Sequence, residues 1–199
     1  RAIENLCSPF RDSNLGMTGA RPIPIDSVEV FAGYLTNLQW NLHHKIALIQ
    51  PKFGELIAFR NIINSVPPTL ADEEQIAFII KTSGYKLKYI PEAVINNKGP
   101  ENLRDFFIQR RRIYAGHLIL KKKYKYEAAT FQGMRILRCV WADLPLELKK
   151  NKRWLLWAII LEAIARGLAR VDICFKGKQI NYKWKIAGST KNLVKYNIT

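Results

Sequence analysis

The sequence has no apolar run long enough to span a membrane. Its most apolar stretch, residues 154–161, stops after 8 residues at Glu162, where a bilayer-crossing helix needs about 20. Cysteine is scarce. Cys7, Cys139 and Cys174 are odd in number, far apart and without a C-x-x-C, and His43, His44 and His117 fall at no metal-ligand spacing. These absences argue against a disulfide framework and a structural zinc site, and they fit the reduced thiols of a cytosolic chain. Residues 1–10 lack the apolar core of a secretory signal. No period of Gly or Leu recurs, which sets aside collagen, coiled-coil and solenoid architectures, and the Asn197-Ile198-Thr199 sequon reads as chance.

What is present describes a folding chain with a polarised charge. With 199 residues, 48% hydrophobic and 24% charged, the sequence can bury a core and suits one domain or one domain with an appendage. The net charge of +16 comes from 32 basic and 16 acidic side chains. Residues 1–97 carry 9 of each sign, whereas residues 98–199 carry 23 basic and 7 acidic. An excess confined to one half points to an anionic partner, whether nucleic acid, phosphate or a lipid surface.

Periodicity orders the first 126 residues. Residues 15–25 read as a strand and turn, 28–50 as an amphipathic helix, 55–60 as a short buried strand, and a helix ends near Gly84. Residues 86–90 and 93–95 are two short strand candidates. A helix then runs from about 101 to 120, followed by the basic segment 121–126. Helices dominate 130–196, so a boundary falls near Tyr126, between an α/β domain (1–126) and a basic helical tail (127–199). In the tail, Glu162, Arg166 and Arg170 recur at steps of four and share a polar face. The pattern leaves open whether the helix at 153–172 lies on a membrane or on the domain core.

Three groups could carry chemistry. Asp72-Glu73-Glu74 opens a helix, where a carboxylate can act as a general base, although acids also favour that first turn for its dipole alone. In Gln109-Arg110-Arg111-Arg112, Gln109 and Arg112 share a helix face, and a guanidinium there suits a phosphate, unless the face is merely solvated. The run 121–126 (KKKYKY) interleaves lysines with tyrosines, as single-stranded nucleic acid or anionic headgroups would require.

In order and spacing these groups resemble the family 2 glycosyltransferases of the processive or membrane-associated type. The resemblance covers roughly residues 2–120: the Gly-bearing strand at 15–21, then Pro51-Lys52-Phe53-Gly54-Glu55-Leu56-Ile57-Ala58-Phe59-Arg60, similar to the family's acceptor-side loop. Asp72 and Glu73 follow, twelve and eleven residues before Gly84-Tyr85. Next come the strand from Lys86, the turn Pro91-Glu92-Ala93, and Gln109 to Ile113 in the manner of Q-x-x-R-W.

The resemblance implies the acceptor-side half of a glycosyltransferase A fold and an inverting sugar transfer from a nucleotide-diphosphate sugar to a glycan or lipid hydroxyl. It makes Asp72 or Glu73 the base, with Glu73 at the second acid's position, lets Gln109 and Arg112 hold the diphosphate, and places Phe59 and Arg60 near the acceptor. The family's Mg²⁺ or Mn²⁺ is bound by a D-x-D, which does not occur in this sequence. The resemblance therefore implies a truncated member and does not imply activity for this chain alone. A cytoplasmic protein held peripherally to the inner membrane face by residues 121–170 is expected, with an unpaired sheet edge open to self-association. The reading from another class is a nonenzymatic basic module binding nucleic acid or a membrane surface.

Overall fold

The computed structural model describes residues 1–126, 144–176 and 187–191. The chain is mixed α/β, with helices packed on a three-stranded mixed sheet. The elements are α1 (Ala2–Cys7), β1 (Leu15–Pro24), α2 (Phe31–Ile49), β2 (Ile57–Phe59), α3 (Asp72–Thr82), β3 (Lys86–Asn97), α4 (Leu103–Tyr124), α5 (Leu146–Lys150) and α6 (Lys152–Lys176), with 3₁₀ turns at Ser8–Arg11 and Gly188–Lys191. β1 is central, antiparallel to β2 and parallel to β3.

β1 buries its first six residues, Leu15 to Ala20, as a strand covered on both faces must. One face packs on α1 through Leu6, Ala20, Ile90 and Ala93, and Thr18 Oγ1 donates to the Leu6 carbonyl at 2.8 Å. The other face packs under α3, with Met17, Phe53, Ile76, Ala77 and Ile80 in one cluster. Gly19 is required here because a Cβ would lie 2.4 Å from the Phe53 ring.

The two strand candidates at 86–90 and 93–95 are a single strand, β3. Its register against β1 shifts between Gly19 and Arg21, where five residues of β3 pass two of β1. That bulge absorbs Pro91, which an outer strand tolerates because its missing N–H breaks no inner ladder. The outer strands are poor templates for self-association: β2 has 3 residues, and β3 presents exposed Lys86 and Lys88 and carries Pro91. Such features blunt edge-to-edge pairing. The Asn5 side chain also donates to the Glu92 carbonyl at 2.9 Å.

The basic run 121–124 is the last turn of α4, closed by Lys125 in the left-handed region at φ 55°. Cations there complement the carbonyl end of the helix. At its start, Asn102 Oδ1 accepts from the Asp105 N–H at 2.9 Å, an N-cap bond.

The composition boundary near Tyr126 does not separate two cores. Leu144, Leu148 and Ala158, from beyond it, share a cluster with Tyr34, Leu35, Leu38 and Phe106. Tyr34 Oη donates to the Leu148 carbonyl at 2.9 Å, and the Trp154 ring meets Phe31 and Tyr34 edge-on. Each large apolar side chain so buried contributes roughly 1.5–3 kcal/mol. Within 130–196, where helices are expected, the described residues form α5, α6 and the 3₁₀ turn at Gly188–Lys191. Residues 130–143, 177–186 and 192–196 lie outside the described residues, as do Cys139 and the terminal sequon.

Candidate active site

A cavity of about 510 Å³ opens between α2, the loop after it, the start of α3, α4 and α6, within the 300–1,000 Å³ or so typical of small-molecule sites. One wall is apolar, built by Leu35, Leu38, Leu42 and Trp40 of α2 with Leu155 and Ile159 of α6. The opposite wall is charged, and each of its groups is placed by a local reason.

Glu73 enters the cavity from the first turn of α3, where a close approach to α4 holds the backbone. A Cβ on Gly116 would lie 2.8 Å from Ala71 Cβ and 3.0 Å from the Leu70 carbonyl carbon. Burial, then the neighbouring Asp72, raises the Glu73 carboxyl from an ordinary 4.5 to about 7. Asp72 is exposed and does not line the cavity.

Gln109 and Arg112 line the same cavity as Glu73, which their spacing of three on α4 requires. Burial lowers the pKa of Arg112 while Glu73, Asp72 and Glu55 pull it back up, so the guanidinium sits in the field of those acids. Glu55 adopts φ 59°, an uncommon conformation for a residue with a Cβ. It turns the 51–56 loop so that Lys52, Phe53 and Gly54 face inward.

The two middle arginines tie α4 to α6. Arg110 grips Glu162 with two bonds of 2.9 and 2.7 Å, and Arg166 donates to the same carboxylate at 2.8 Å. Burial alone would raise Glu162, but the two guanidiniums carry it down to about 2. Arg111 pairs with Asp172 at 2.7–3.1 Å. The polar stripe Glu162–Arg166–Arg170 thus points inward, with Arg166 and Arg170 also meeting the Tyr114 ring.

Phe59 and Arg60 lie outside the cavity lining. Phe59 is exposed on β2. Arg60 is a fastener for the first strand, donating to the carbonyls of Leu15 (2.7 Å), Phe10 (3.0 Å) and Asp12 (2.9 Å) with its guanidinium over the Phe10 ring. In the basic run, Tyr124 and Tyr126 pack on Phe78, and Tyr126 Oη donates to Glu74 Oε2 at 3.1 Å. These rings are thus engaged within the fold, and Lys121–Lys123 remain at the surface.

Sequence reasoning gave no site role to Trp40 or His117, and it named Lys52 and Glu74 only as members of longer segments, although all four line the cavity. Burial, with Lys52, Arg110 and Arg166 nearby, holds the His117 ring neutral, its pKa lowered to about 3. Glu74 is 4% exposed and its Oε1 meets no hydrogen-bond donor. Buried charge beside a Pro-flanked loop was the available signal for Lys52. Nothing local marks Trp40, which is one of several aromatics at helical spacing.

Among the described residues no three His, Cys, Asp or Glu side chains converge as a metal site. No helix among the described residues is long and apolar enough to cross a membrane. No protein-family model matches the chain, and no curated protein or solved structure matches it.

Proposed function

We propose that this cavity carries out inverting transfer of a sugar from a nucleotide-diphosphate sugar to an acceptor hydroxyl, in the acceptor-side half of a glycosyltransferase A fold. The observation that carries the reading is one cavity lined by Glu73, raised to about 7, together with Gln109 and Arg112. The acceptor oxygen attacks the anomeric carbon as its proton passes to the Glu73 carboxylate. The bond from that carbon to the diphosphate oxygen breaks, and the electron pair leaves with the diphosphate. A base with a pKa near the working pH combines a populated carboxylate with adequate basicity. Arg112 and Gln109 stabilise the charge that develops on the leaving group, the kind of interaction from which such reactions gain most.

Calorimetry with UDP and GDP, each with Mg²⁺ or Mn²⁺, on the wild-type chain and on Arg112→Ala tests this. Binding by the wild type that is lost in the variant is the expected result. Absence of binding in both overturns the reading.

A second reading, peripheral attachment to an anionic membrane, is favoured by the orientation of α6. Its polar stripe faces α4, where Glu162 pairs with Arg110 and Arg170 donates to Tyr114, while Trp157, Ile160, Ile164, Leu168, Val171 and Phe175 are exposed. The helix is 25 residues, about 37 Å long. Exposed Lys150, Lys152 and Arg153 stand at its start. An apolar stripe with a basic rim is the composition of an interfacial helix, and an outward Trp favours the headgroup level. Flotation with phosphatidylserine-containing vesicles should carry the chain up, and Leu168→Glu with Ile164→Glu should leave it at the bottom. Equal flotation of both forms overturns this attachment.

A further inference from the structure

The blunted sheet edges leave α6 as the surface through which copies of this chain can meet. Along it Trp157, Ile160, Ile164, Leu168, Val171 and Phe175 are exposed, from 37% at Ile160 to 86% at Phe175. They recur at steps of three and four, so they form one straight stripe down the side of the helix. Weighted by the usual areas of such side chains, the six leave roughly 600 Å² of apolar surface in water, the upper end of what a monomer tolerates. Leu156, Ala163 and Gly167 flank the stripe and are exposed too. They bring the face toward the ~800 Å² that each partner gives to a stable interface.

Gly167 bears on what covers this face. A glycine inside a helix costs about 1 kcal/mol relative to alanine, and nothing in the fold of the single chain calls for one here. No atom lies within 4 Å of a Cβ placed on it, and its backbone is ordinary helix. With Ala163 one turn earlier, it leaves a shallow notch beside the projecting Ile160 and Val171. A notch serves a rigid partner, because small residues let a second helix backbone cross at close range. Fluid lipid fits around a full-sized side chain equally well.

We infer that in water this face of α6 pairs with the same face of a second copy, the two helices running antiparallel and crossing near Ala163 and Gly167. A two-fold contact needs a patch that complements itself. Rotation about the notch sets bulky Trp157 of one copy against the slimmer Val171 and Cys174 of the other, and brings Phe175 to Leu156. The stripe itself carries no charge for an acidic segment of another protein to read. Charge also fixes the direction. Lys150, Lys152 and Arg153 are exposed at the start of the face, and a parallel pair would crowd both copies of this cluster together. An antiparallel pair holds the two clusters about 37 Å apart, beyond the ~8 Å range of unscreened repulsion. Each cluster then lies beside the carbonyl end of the other helix, where cations are favoured.

The pairing does not depend on the transfer reading. It uses the face that membrane attachment would use, so a vesicle and a second copy exclude one another there. Sedimentation velocity of the full chain without lipid, over a range of micromolar concentrations, should show a reversible dimer. Gly167→Leu is the decisive variant: the open position lets it keep native circular dichroism, yet its dimer dissociation constant should rise tenfold or more. Its flotation with phosphatidylserine-containing vesicles should be at least as complete as that of wild type. Ile164→Glu with Leu168→Glu should be monomeric and supplies an independent reading should Gly167→Leu fail to fold.

Direction is read by mild oxidation with Cys7 and Cys139 replaced by serine. Exposed Cys174 alone should form no interchain disulfide, because the two copies of it lie toward opposite ends, whereas adding Leu156→Cys should produce one. The proposal is overturned if the wild type is monomeric or larger than a dimer, if Gly167→Leu dimerises as wild type does, or if Cys174 crosslinks to its own copy. A monomer that floats with vesicles would assign the face to the membrane instead.

Discussion

Replacing Glu73 by glutamine should make the protein more stable and, on the proposed mechanism, inactive, and the gain should depend on pH in a way that burial dictates. The carboxyl is held at about 7 by burial and by Asp72, against an ordinary value of 4.5. A raised folded-state pKa means that the native state binds the proton more tightly than the unfolded chain does. The stability so conferred is complete below pH 4.5 and is lost as pH rises through 7. At pH 8 the native state holds an ionised carboxylate in a site that disfavours it, at a cost of up to about 3 kcal/mol from the size of the shift. Water in the cavity screens part of this, so about 2 kcal/mol is the working figure. The amide does not ionise and escapes the cost. With a urea slope of about 2 kcal/mol per molar for a chain of this size, the midpoint of Glu73→Gln should exceed wild type by roughly 1 M at pH 8. At pH 4 the two midpoints should nearly coincide. Urea unfolding followed by circular dichroism at both pH values decides the matter, and a midpoint difference that is equal at the two, or that favours wild type at pH 8, would refute the reasoning.

Glu162→Gln should act in the opposite sense. Its carboxyl is depressed to about 2 by Arg110 and Arg166, so its contribution, roughly 3 kcal/mol at neutral pH, is present above pH 4.5 and lost as pH falls through 2. Acid titration should show wild-type stability declining across that window while the variant's stays flat, and parallel curves would rule out the pairing as the cause. Arg60→Met removes three bonds to backbone carbonyls, which should lower stability by about 2–3 kcal/mol with UDP affinity unchanged. Lost affinity without lost stability would instead return Arg60 to the acceptor side.

The parts of this fold that the sequence announces are those governed by local period. The helices at 31–49, 72–82 and 103–124 stand near their expected places, because apolar spacing and terminal signals act within a few residues. The same locality put Gln109 and Arg112 on one face of α4. Where partners are distant, the sequence is silent. Pro91 appeared to divide a strand because the bulge that accommodates it belongs to the pairing with β1, seventy residues earlier. The lysines at 121–123 looked like an independent segment, although they end a helix whose C-terminal carbonyls favour them. Arg60 looked like an acceptor contact because its spacing gives no hint of the carbonyls of Phe10, Asp12 and Leu15 that fold back around it.

The orientation of α6 shows why such silence is physical rather than accidental. Helical period tells which residues share a face and leaves undecided which face turns inward. The usual assumption is that the apolar face does. Here the neighbouring helix brings Arg110 and Arg111 to the contact, and each finds a carboxylate there; for Arg110, whose side chain is only 19% exposed, loss of that partner is strongly destabilising. Glu162 and Asp172 supply those partners, and their positions on α6 fix its rotation. Small residues, Ala158, Ala165 and Ala169, fill the remaining close contacts, so the large side chains Trp157, Ile160, Ile164, Leu168 and Phe175 have no room on the inner side and emerge outward. The charge that α4 brings to the cavity is therefore the reason the opposite surface is apolar. Placing an arginine in that wall commits α6 to a greasy outer face, which ties the chemistry of the cavity to a surface that favours an apolar partner.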